Sequence, residues 1–442
     1  MPPIALTEIL ETSPATVLGD LPPETIFRWV ERNSKAVQPG DLFIAVRGER
    51  LDGHEFIADA AEHGALAALV RSDLVASLPR PPIPLILVDE PVAALQRLAA
   101  ARRLRLGVTV VGITGSIGKT STKEVVAGVL SQKFRTYRNP GNMNSEIGLP
   151  LSILEIEPGT EAAVLEMGGA YAFGELALLA EIAKPKIGVV TNVHPVHLER
   201  MGTIEAIAQT KSELVQAVPS DGVAVLNGDD HRVRAMIPLC AGQVMTYGIG
   251  FDNDIWADQV ETQGLDGTSF VAHVDGIAYA VETNLRGQHA VDLGMAAIGV
   301  GLAMGMTMEE ILPGLSRPDL QVRLLILDGP SGSHLIDDTY NASAPSVISA
   351  LGVLAEVPAR RRIAVLGDMR ELGAASLEQH LAVGRRAAEV VDHLVTYGEL
   401  ARVIAASYIE TRAAIDAPAG DVTSFGLEQR ADGAAMRRLP GL

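Results

Sequence analysis

The sequence has a single cysteine, Cys240, among 442 residues. One cysteine excludes an internal disulfide and a cysteine-based zinc site, and it fits a reducing compartment. The uncharged run at 293–308 is rich in Gly and Ala and is shorter than the ~20 residues that a membrane span needs. Residues 1–4 lack the basic segment and apolar core that begin a signal peptide. We therefore expect a cytoplasmic protein without membrane insertion.

Basic residues are also scarce. The chain has 36 Lys and Arg residues against 54 Asp and Glu, a formal net charge of -18. This balance argues against non-specific binding to nucleic acid or anionic lipid, so an anionic ligand must be held by local chemistry. Fixed-period repeats and low-complexity segments are absent too. The length is about three times that of a typical ~150-residue domain and favours two or three domains.

Hydrophobic periodicity predicts three α/β domains, at 1–105, 106–318 and 319–442. The predicted strands lie at 42–46, 67–70, 108–111, 163–165, 187–190, 223–226, 335–336, 363–366 and 394–397. The predicted helices lie at 56–63, 91–105, 122–129, 175–182, 204–218, 291–305, 346–354, 377–390 and 399–407. Alternation of strands and helices favours parallel sheets covered on both faces. We predict a central parallel-sheet domain flanked by a small N-terminal α/β domain and a Rossmann-like C-terminal domain, with a polar, β-rich stretch at 244–283 that interrupts the alternation.

The motif with the most specific chemistry follows the strand at 108–111. It reads Thr114-Gly115-Ser116-Ile117-Gly118-Lys119-Thr120-Ser121 and lies between a strand and a helix, as a phosphate-binding loop requires. Glycines let the backbone wrap an anion, and amides at the helix N-terminus point toward it. Lys119 can reach terminal phosphates, and the Thr120 hydroxyl can bind Mg²⁺. These residues predict a nucleoside triphosphate site.

Polar residues follow the other predicted strands of the middle region. Glu166 follows the strand at 163–165, His194 and His197 follow the strand at 187–190, and Asn227 ends the next strand. In an open α/β sheet these strand ends face one crevice, where a carboxylate or a neutral imidazole can bind a metal. Lys211 lies in a predicted helix, where the default for a lysine is a solvated face, and Asn227 by itself indicates a turn.

Together these residues resemble the Mur ligase family, ATP-dependent enzymes that form amide bonds in peptidoglycan precursor synthesis. The loop at 114–120 is similar to that family's shortened phosphate loop, and Leu165-Glu-Met-Gly168, the segment 192–202 and Lys211 match in order and approximate spacing. The resemblance implies a central ATPase domain with ATP and Mg²⁺ as cofactors. It also implies the residues that act in catalysis and at the metal: Lys119, Thr120, Glu166, His197 and a carbamylated Lys211.

The outer regions resemble the family member that adds a dipeptide. The resemblance rests on Leu335-Ile-Asp-Asp-Thr-Tyr-Asn-Ala342, on 365–373 with His380, on the loop at 139–150 and on 37–54. It implies UDP-N-acetylmuramoyl-tripeptide and D-alanyl-D-alanine as substrates, and we expect a monomer. The implied substrate-binding residues are Ser34, Asp52, Gly53, His54, Asn144, Tyr340 and Asn341. The implied nucleotide-binding residues outside the phosphate loop are Asn227, Arg323 and Asp338.

Three positions depart from the family pattern. Ala290 and Leu293 stand where the family often has Asn, one and four residues after the His that matches His289. Val322 replaces the Gly of a usual Gly-Arg pair, although Arg323 remains. The Lys-Gly-Ser of a closing strand is missing, which suggests a shortened or altered C-terminus.

The resemblance implies that ATP phosphorylates the tripeptide carboxylate and that the dipeptide amine then attacks the acyl phosphate. Other readings stay open: another Mur-type or folylpolyglutamate-synthetase-like ligase, or an inactive nucleotide-binding homologue. A guanine-nucleotide switch is disfavoured because the chain has no Asn-Lys-x-Asp motif. Asp337-Asp-Thr-Tyr-Asn341 favours the dipeptide-adding reaction.

Overall fold

The structure is a computed structural model that describes residues 2–48, 51–169, 172–196, 198–317, 323–418, 420–430 and 433–438. The chain forms two compact units. Unit 1 comprises Met1–Gly112, Phe134–Gly168 and Glu175–Lys186, and unit 2 comprises Ile113–Lys133, Gly169–Gly174 and Ile187–Leu442. Neither unit is therefore one continuous segment of the chain.

The first part of unit 1 contains a five-stranded sheet, a separate two-stranded sheet and flanking helices. The strands are β1 (Ile4–Ala5), β2 (Thr16–Leu18), β3 (Ile26–Phe27), β4 (Val30–Glu31), β5 (Leu42–Ile44), β6 (Ala67–Arg71) and β7 (Leu85–Val88). The helices are α1 (Leu6–Thr12), α2 (Ile57–Glu62) and α3 (Pro91–Leu106). Strands β4 to β7 are parallel, β2 joins β7 antiparallel, and β1 pairs with β3. Proline in the first turn and left-handed Gly107 after the last turn set the ends of α3, confirming the predicted helix.

The next elements carry the predicted phosphate loop. They are β8 (Thr109–Thr114), α4 (Lys119–Leu130), β9 (Thr136–Arg138), α5 (Gly148–Leu154), β10 (Ala162–Glu166) and α6 (Glu175–Ala183). Within unit 1 the sheet order is β8-β10-β9, with β9 and β10 parallel. Buried β-branched residues of β8 and a buried face of α4 confirm the predicted strand, loop and helix.

Unit 2 continues with a mixed sheet. Its strands are β11 (Ile187–Val190), β12 (Val223–Asn227), β13 (Gln243–Gly248), β14 (Ile255–Thr262), β15 (Thr268–Val274) and β16 (Ile277–Thr283). Its helices are α7 (Leu198–Met201), α8 (Ile204–Ala217), α9 (His231–Arg234), α10 (His289–Ala303) and α11 (Met308–Leu315). Strands β11 to β14 are parallel neighbours, and β15 and β16 follow antiparallel.

The stretch at 244–283 differs from the prediction. Strand β13 continues the parallel sheet, and only β15 and β16 leave the parallel order. The connection between β15 and β16 shows the reason, since a two-residue turn joins antiparallel strands only. Asp275 and Gly276 both have positive φ, the conformation that an Asp-Gly hairpin turn needs.

The C-terminal part of unit 2 is a smaller layered assembly. Its strands are β17 (Leu325–Asp328), β18 (His334–Asp337), β19 (Ile363–Gly367), β20 (His393–Tyr397), β21 (Asp421–Arg430) and β22 (Gly433–Arg438). Its helices are α12 (Ala344–Glu356), α13 (Ser376–Val390) and α14 (Ala401–Ala414). The sheet order is β19-β20-β21-β22, with β22 antiparallel.

Two features of this assembly were not predicted. The strand predicted at 335–336 pairs with β17 in a separate hairpin, where its exposed Leu335 shows that it is no buried sheet strand. Strands β21 and β22 extend the sheet although the chain lacks Lys-Gly-Ser. None of the helices in the described ranges has both the length and the apolar character that a membrane span needs.

Candidate functional site

The phosphate loop lies between β8 and α4 in unit 2. Its shape depends on two glycines with positive φ, Gly115 at 149° and Gly118 at 82°. A Cβ on Gly115 would overlap the Thr191 hydroxyl, so only glycine fits there. Gly118 directly precedes α4, whose first-turn amides have no partners within the helix. The loop therefore presents backbone N–H groups at a helix N-terminus, an arrangement that binds phosphate.

The segment after β11 holds this loop from one side. The Thr191 hydroxyl donates to the Ile117 carbonyl (2.8 Å). Asn192 donates to the same carbonyl from Nδ2 (3.1 Å), and its Oδ1 accepts from the Ile117 N–H (2.9 Å). The Ser116 hydroxyl accepts from the His194 N–H and donates to the His194 carbonyl. These bonds fix the loop before any ligand arrives. Thr191 and Asn192 were not predicted as site residues; the only sequence signal was Asn192 within the family motif.

The Lys119 side chain folds back over the glycine-rich part of the phosphate loop. Its Nζ donates to the Gly115 carbonyl (2.8 Å) and to the Ser116 carbonyl (3.1 Å). Thr120 and Ser121 occupy the same first turn of α4 and are half-buried. The ammonium group thus lies against the loop, where the motif predicts that phosphate oxygens approach.

The loop after β12 is hydrogen-bonded to the segment that follows β11. Asp230 accepts from the Val193 N–H (2.7 Å) and caps α9 through the Arg232 and Val233 amides. Asn227 is buried, and its Oδ1 accepts from the Asp229 N–H, so it holds the turn that its sequence context indicates. Burial lowers the pKa of the nearby His194, while Asp230 and Arg232 act in opposite directions. His194 is therefore a neutral imidazole at pH 7.

Lys211 does not lie on a solvated helix face. It is 3% exposed in α8, and its Nζ donates to the Gly169 carbonyl (2.7 Å). A buried lysine is unusual, because the ammonium group loses its hydration unless it is paired. The default expectation for Lys211 was wrong, because helix periodicity alone does not show what packs against a helix. His197 lies outside the described residues.

Glu166 ends β10 in unit 1, as predicted, and is 3% exposed. Its Oε1 accepts from the Asn144 Nδ2 (2.7 Å). The Asn139 side chain accepts a hydrogen bond from the Glu166 N–H and donates one to the Glu166 carbonyl. The carboxylate is therefore held in one orientation at a strand end. The structure places Asn144, a predicted substrate-binding residue, in contact with this carboxylate.

The predicted sugar-binding residues of unit 1 form a hydrogen-bonded turn. His54 Nε2 accepts from the Arg71 N–H (3.0 Å), so Nδ1 carries the proton and donates to Asp52 (2.6 Å). Burial alone would raise the pKa of Asp52, but hydrogen bonds from the His54 amide and ring outweigh it and lower that pKa. A Cβ on Gly53 would collide with the Val46 backbone. Ser34 is buried at the start of another short turn. Both ring nitrogens of His54 thus serve the fold.

The predicted residues of the C-terminal part gather at the end of the β17–β18 hairpin. The Arg323 guanidinium lies 4.1 Å from the Tyr340 ring centroid, a cation–π contact. Burial raises the pKa of Asp338, and the charge of Arg323 opposes that rise. Asn341 Oδ1 accepts from the Ala342 N–H at the exposed surface. The structure therefore brings Arg323, Asp338 and Tyr340 together and leaves Asn341 in a local turn.

Comparison with protein families gives three matches along the chain. Residues 27–103 match "Mur ligase family, catalytic domain", residues 113–301 match "Mur ligase middle domain", and residues 322–436 match "Mur ligase, glutamate ligase domain". The matches thus span most of the chain.

Individual proteins are similar over most of their length. The UDP-N-acetylmuramoyl-tripeptide–D-alanyl-D-alanine ligase of Bacillus subtilis (strain 168) is 36% identical over 387 residues, which cover 86% of this chain and 82% of the relative. The enzyme of the same name from Escherichia coli (strain K12) is 33% identical, with 85% and 82% covered. The crystal structure of MurF from Acinetobacter baumannii has a TM-score of 0.84 at 29% identity, covering 92% of this chain and 88% of that chain. MurF ligase from Thermotoga maritima in complex with ADP has a TM-score of 0.75 at 31% identity, covering 90% and 93%.

Proposed function

This chain belongs to the Mur ligase family, and from that membership we propose that it is an ATP-dependent ligase joining D-alanyl-D-alanine to UDP-N-acetylmuramoyl-tripeptide. The product is the UDP-muramoyl-pentapeptide precursor of peptidoglycan. The observation that carries the proposal is similarity to relatives of that activity over more than four fifths of both chains. The phosphate loop with Lys119 supports the ATP requirement.

Each domain takes one ligand in this proposal. Residues 1–105 bind the UDP-sugar, 106–318 bind ATP, and 319–442 bind the incoming dipeptide. The three consecutive family matches support this division. The nucleotide contacts belong to the loop at 114–121 and to Asn227, Arg323 and Asp338. The substrate contacts belong to Ser34, Asp52, Gly53, Asn144, Tyr340 and Asn341, with His54 acting through its hydrogen bond to Asp52.

The donor set suits Mg²⁺. Among the residues described, no group of three or more His, Cys, Asp or Glu side chains lies close enough to form a metal cluster. Mg²⁺ does not need one, since it takes one or two carboxylates together with substrate phosphates and water. Glu166, held by Asn144, is such a carboxylate. With Thr120, His197 and a carbamylated Lys211 it would hold the ion, which when bound neutralises phosphate charge.

The reaction proceeds in two transfers. A tripeptide carboxylate oxygen forms a bond to the γ-phosphorus of ATP, while the bond between that phosphorus and the bridging oxygen of ADP breaks. The products are an acyl phosphate and ADP. The dipeptide amine nitrogen then bonds to the acyl carbon, phosphate leaves, and the nitrogen loses a proton. Lys119 and Arg323 stabilise the negative charge that spreads over the transferred group. We also propose that the enzyme is a monomer. We propose that it acts in the cytoplasm, which contains both ATP and the UDP-linked precursor.

One assay tests this function. The protein is incubated with ATP, Mg²⁺, UDP-muramoyl-tripeptide and D-Ala-D-Ala, and ADP and pentapeptide are followed by mass spectrometry. We expect both products, and only when both substrates are present; tripeptides with diaminopimelate and with lysine are compared. ATP turnover without that dependence, or product with glutamate in place of the dipeptide, would overturn the proposal. Lys119→Met is the inactive control.

The carbamate has its own test. Lys211→Ala should lose activity, and added short carboxylates should partly restore it because they replace the missing anionic group. Lys184→Ala, a lysine outside the proposed site, serves as the matched control. Full activity of Lys211→Ala would show that no carbamate is needed.

A further inference from the structure

Strand β10 extends beyond the strand that it pairs with at the edge of the sheet. Strand β9 ends at Arg138, which lies opposite Val164, whereas β10 continues to Glu166. The Asn139 N–H still reaches the Val164 carbonyl (3.4 Å), and the backbone ladder ends there. The N–H and carbonyl groups of Glu166 therefore need partners that β9 itself does not supply.

The side chain of Asn139 supplies these partners. Its Oδ1 accepts from the Glu166 N–H (2.8 Å), and its Nδ2 donates to the Glu166 carbonyl (3.1 Å). A carboxamide carries the same acceptor and donor as a peptide group, so it extends the ladder by one more step. Asn139 is 0% exposed, and water does not compete for these bonds. Asn139 thus fixes the backbone from which the Glu166 carboxylate projects.

The same carboxamide also holds the loop that contacts this carboxylate. Its Nδ2 donates to the Met143 carbonyl (2.8 Å). Met143 directly precedes Asn144, whose Nδ2 donates to Glu166 Oε1 (2.7 Å) and whose carbonyl accepts from the Gly168 N–H (2.8 Å). A Cβ on Gly168 would lie 2.9 Å from that carbonyl oxygen, so glycine permits the close approach. One buried side chain therefore joins the Glu166 backbone to the residue next to Asn144.

We propose that Asn139 is a positioning residue for the Glu166 carboxylate and, through it, for the divalent cation. The inference rests on the proposed function, in which Glu166 is a ligand of Mg²⁺. This ion demands near-ideal octahedral geometry, so the direction of a ligand carboxylate matters. Loss of a group that orients a metal ligand typically costs about 10–100-fold in metal affinity. Asn139 acts through the Glu166 backbone and through Asn144, and does not itself bind the ion.

The test changes the two N–H donors and leaves the shape of the side chain. Asn139→Asp keeps an oxygen for the Glu166 N–H but has no donor for the two carbonyls. Binding of Mn²⁺, used in place of Mg²⁺, is followed by electron paramagnetic resonance with ADP present and the protein in excess over ADP. We expect the Kd of Mn²⁺ to rise at least roughly tenfold, while ADP affinity without metal stays within about twofold of wild type.

The matched control is Asn142→Asp, which makes the same change at an exposed residue of the same loop. Its Kd for Mn²⁺ should stay within about twofold of wild type. Glu166→Gln supplies a second comparison. If Asn139 acts through the carboxylate, Asn139→Asp combined with Glu166→Gln should lose no more Mn²⁺ affinity than Glu166→Gln alone. In the ligase assay Asn139→Asp should need roughly tenfold more Mg²⁺ for half-maximal rate, with kcat at saturating Mg²⁺ close to wild type.

Three results would overturn the inference: wild-type Mn²⁺ affinity in Asn139→Asp, an equal loss in Asn142→Asp, or losses that add in the double variant. The last result would show that Asn139 supports the fold and not the carboxylate. Circular dichroism checks that each variant is folded, and Asn139→Ser, which adds no charge, gives the same comparison if Asn139→Asp unfolds. A wild-type protein that makes no pentapeptide would remove the ligase function, whereas the Mn²⁺ measurements alone decide on the role of Asn139.

Discussion

At the scale of single residues, burial does not by itself show whether the protein satisfies a polar side chain. His54 uses both ring nitrogens within unit 1, with Asp52 and with the Arg71 amide. Asp292 is partly buried and has no hydrogen-bond donor among the described residues. Residue type alone could not distinguish these two cases, because the distinction depends on what the rest of the chain packs against each side chain.

The first prediction concerns His54. Replacing it with alanine leaves the Arg71 N–H without its acceptor and opens a gap at a side chain that is 5% exposed. We expect His54→Ala to lower the free energy of unfolding by about 2 kcal/mol. Denaturant unfolding followed by circular dichroism measures this. His63→Ala, at an exposed histidine of the same unit, should change stability by less than about 0.5 kcal/mol. Equal stability of the two variants would contradict a structural role for His54.

The second prediction concerns the pH dependence set by Asp292. Burial and the charge of Asp229 raise its pKa to about 6 in the folded protein, from an ordinary value of 3.8. Below pH 3.8 both states hold the proton and no penalty arises. Between those values only the unfolded state releases it, so stability falls as pH rises, and above pH 6 the penalty is constant. Asp292→Asn should therefore stabilise the protein at pH 7 by up to about 3 kcal/mol and have little effect at pH 4.

The measurement is a comparison of unfolding free energies at pH 4, 5, 6 and 7 for wild type and Asp292→Asn. For Glu282→Asn, which removes an exposed carboxylate, the unfolding free energy should change with pH as it does in wild type. A stability difference for Asp292→Asn that does not change with pH would mean that the carboxylate is not responsible.

At the scale of elements, the phosphate loop and the segment after β11 act as one structure. Five side-chain hydrogen bonds join Ser116 and Ile117 to Thr191, Asn192 and His194. Binding of a phosphate chain therefore does not require the loop to be ordered first, which removes a conformational entropy cost from binding.

The third prediction tests that coupling. In Gly115→Ala the new methyl group would displace Thr191, whose hydroxyl holds the Ile117 carbonyl. We expect ATP affinity to fall at least roughly tenfold. Gly107→Ala is the matched control, since Gly107 also has positive φ but nothing lies within 4 Å of its Cβ position. The control should lose about 1 kcal/mol of stability and no ATP affinity. Calorimetric titration with ATP measures the affinity of both variants. Equal losses of ATP affinity in the two variants would contradict the prediction.

Sequence patterns predicted the elements whose signal is local. The β8–loop–α4 unit and α3 follow from periodicity, glycine and proline positions, and Glu166 from its place at a strand end. The sequence patterns did not predict which strands pair, because strand pairing depends on tertiary contacts. Strand β18 pairs with β17, and β15 and β16 pair antiparallel. Likewise, the burial of Lys211 and the clamping role of Asn192 depend on segments far away in the sequence.

At the scale of the whole molecule, the formal net charge of -18 opposes every anionic ligand at a distance. The proposed substrates ATP and UDP-muramoyl-tripeptide are both anionic. Attraction must then come from few groups, such as Lys119 and the amides of the loop, within short range.

The fourth prediction follows from this balance. Salt screens the long-range repulsion over a distance of about 8 Å at 0.15 M ionic strength, so raising KCl from 50 to 300 mM should increase the association rate of ATP by roughly twofold. Stopped-flow binding of a fluorescent ATP analogue measures it, with potassium glutamate as a control for chloride effects. A steep decrease of the rate with salt would indicate a basic field that the composition does not provide.

The discontinuous make-up of the two units has a consequence for biosynthesis. Unit 1 takes its last segment from Glu175–Lys186, after the chain has already contributed Ile113–Lys133 and Gly169–Gly174 to unit 2. A nascent chain on the ribosome thus cannot complete unit 1 until Lys186 has emerged from the exit tunnel, by which time the phosphate loop has been synthesised. No single cut in the gene yields unit 1 alone. Expression of either unit by itself therefore requires splicing of separate segments rather than truncation.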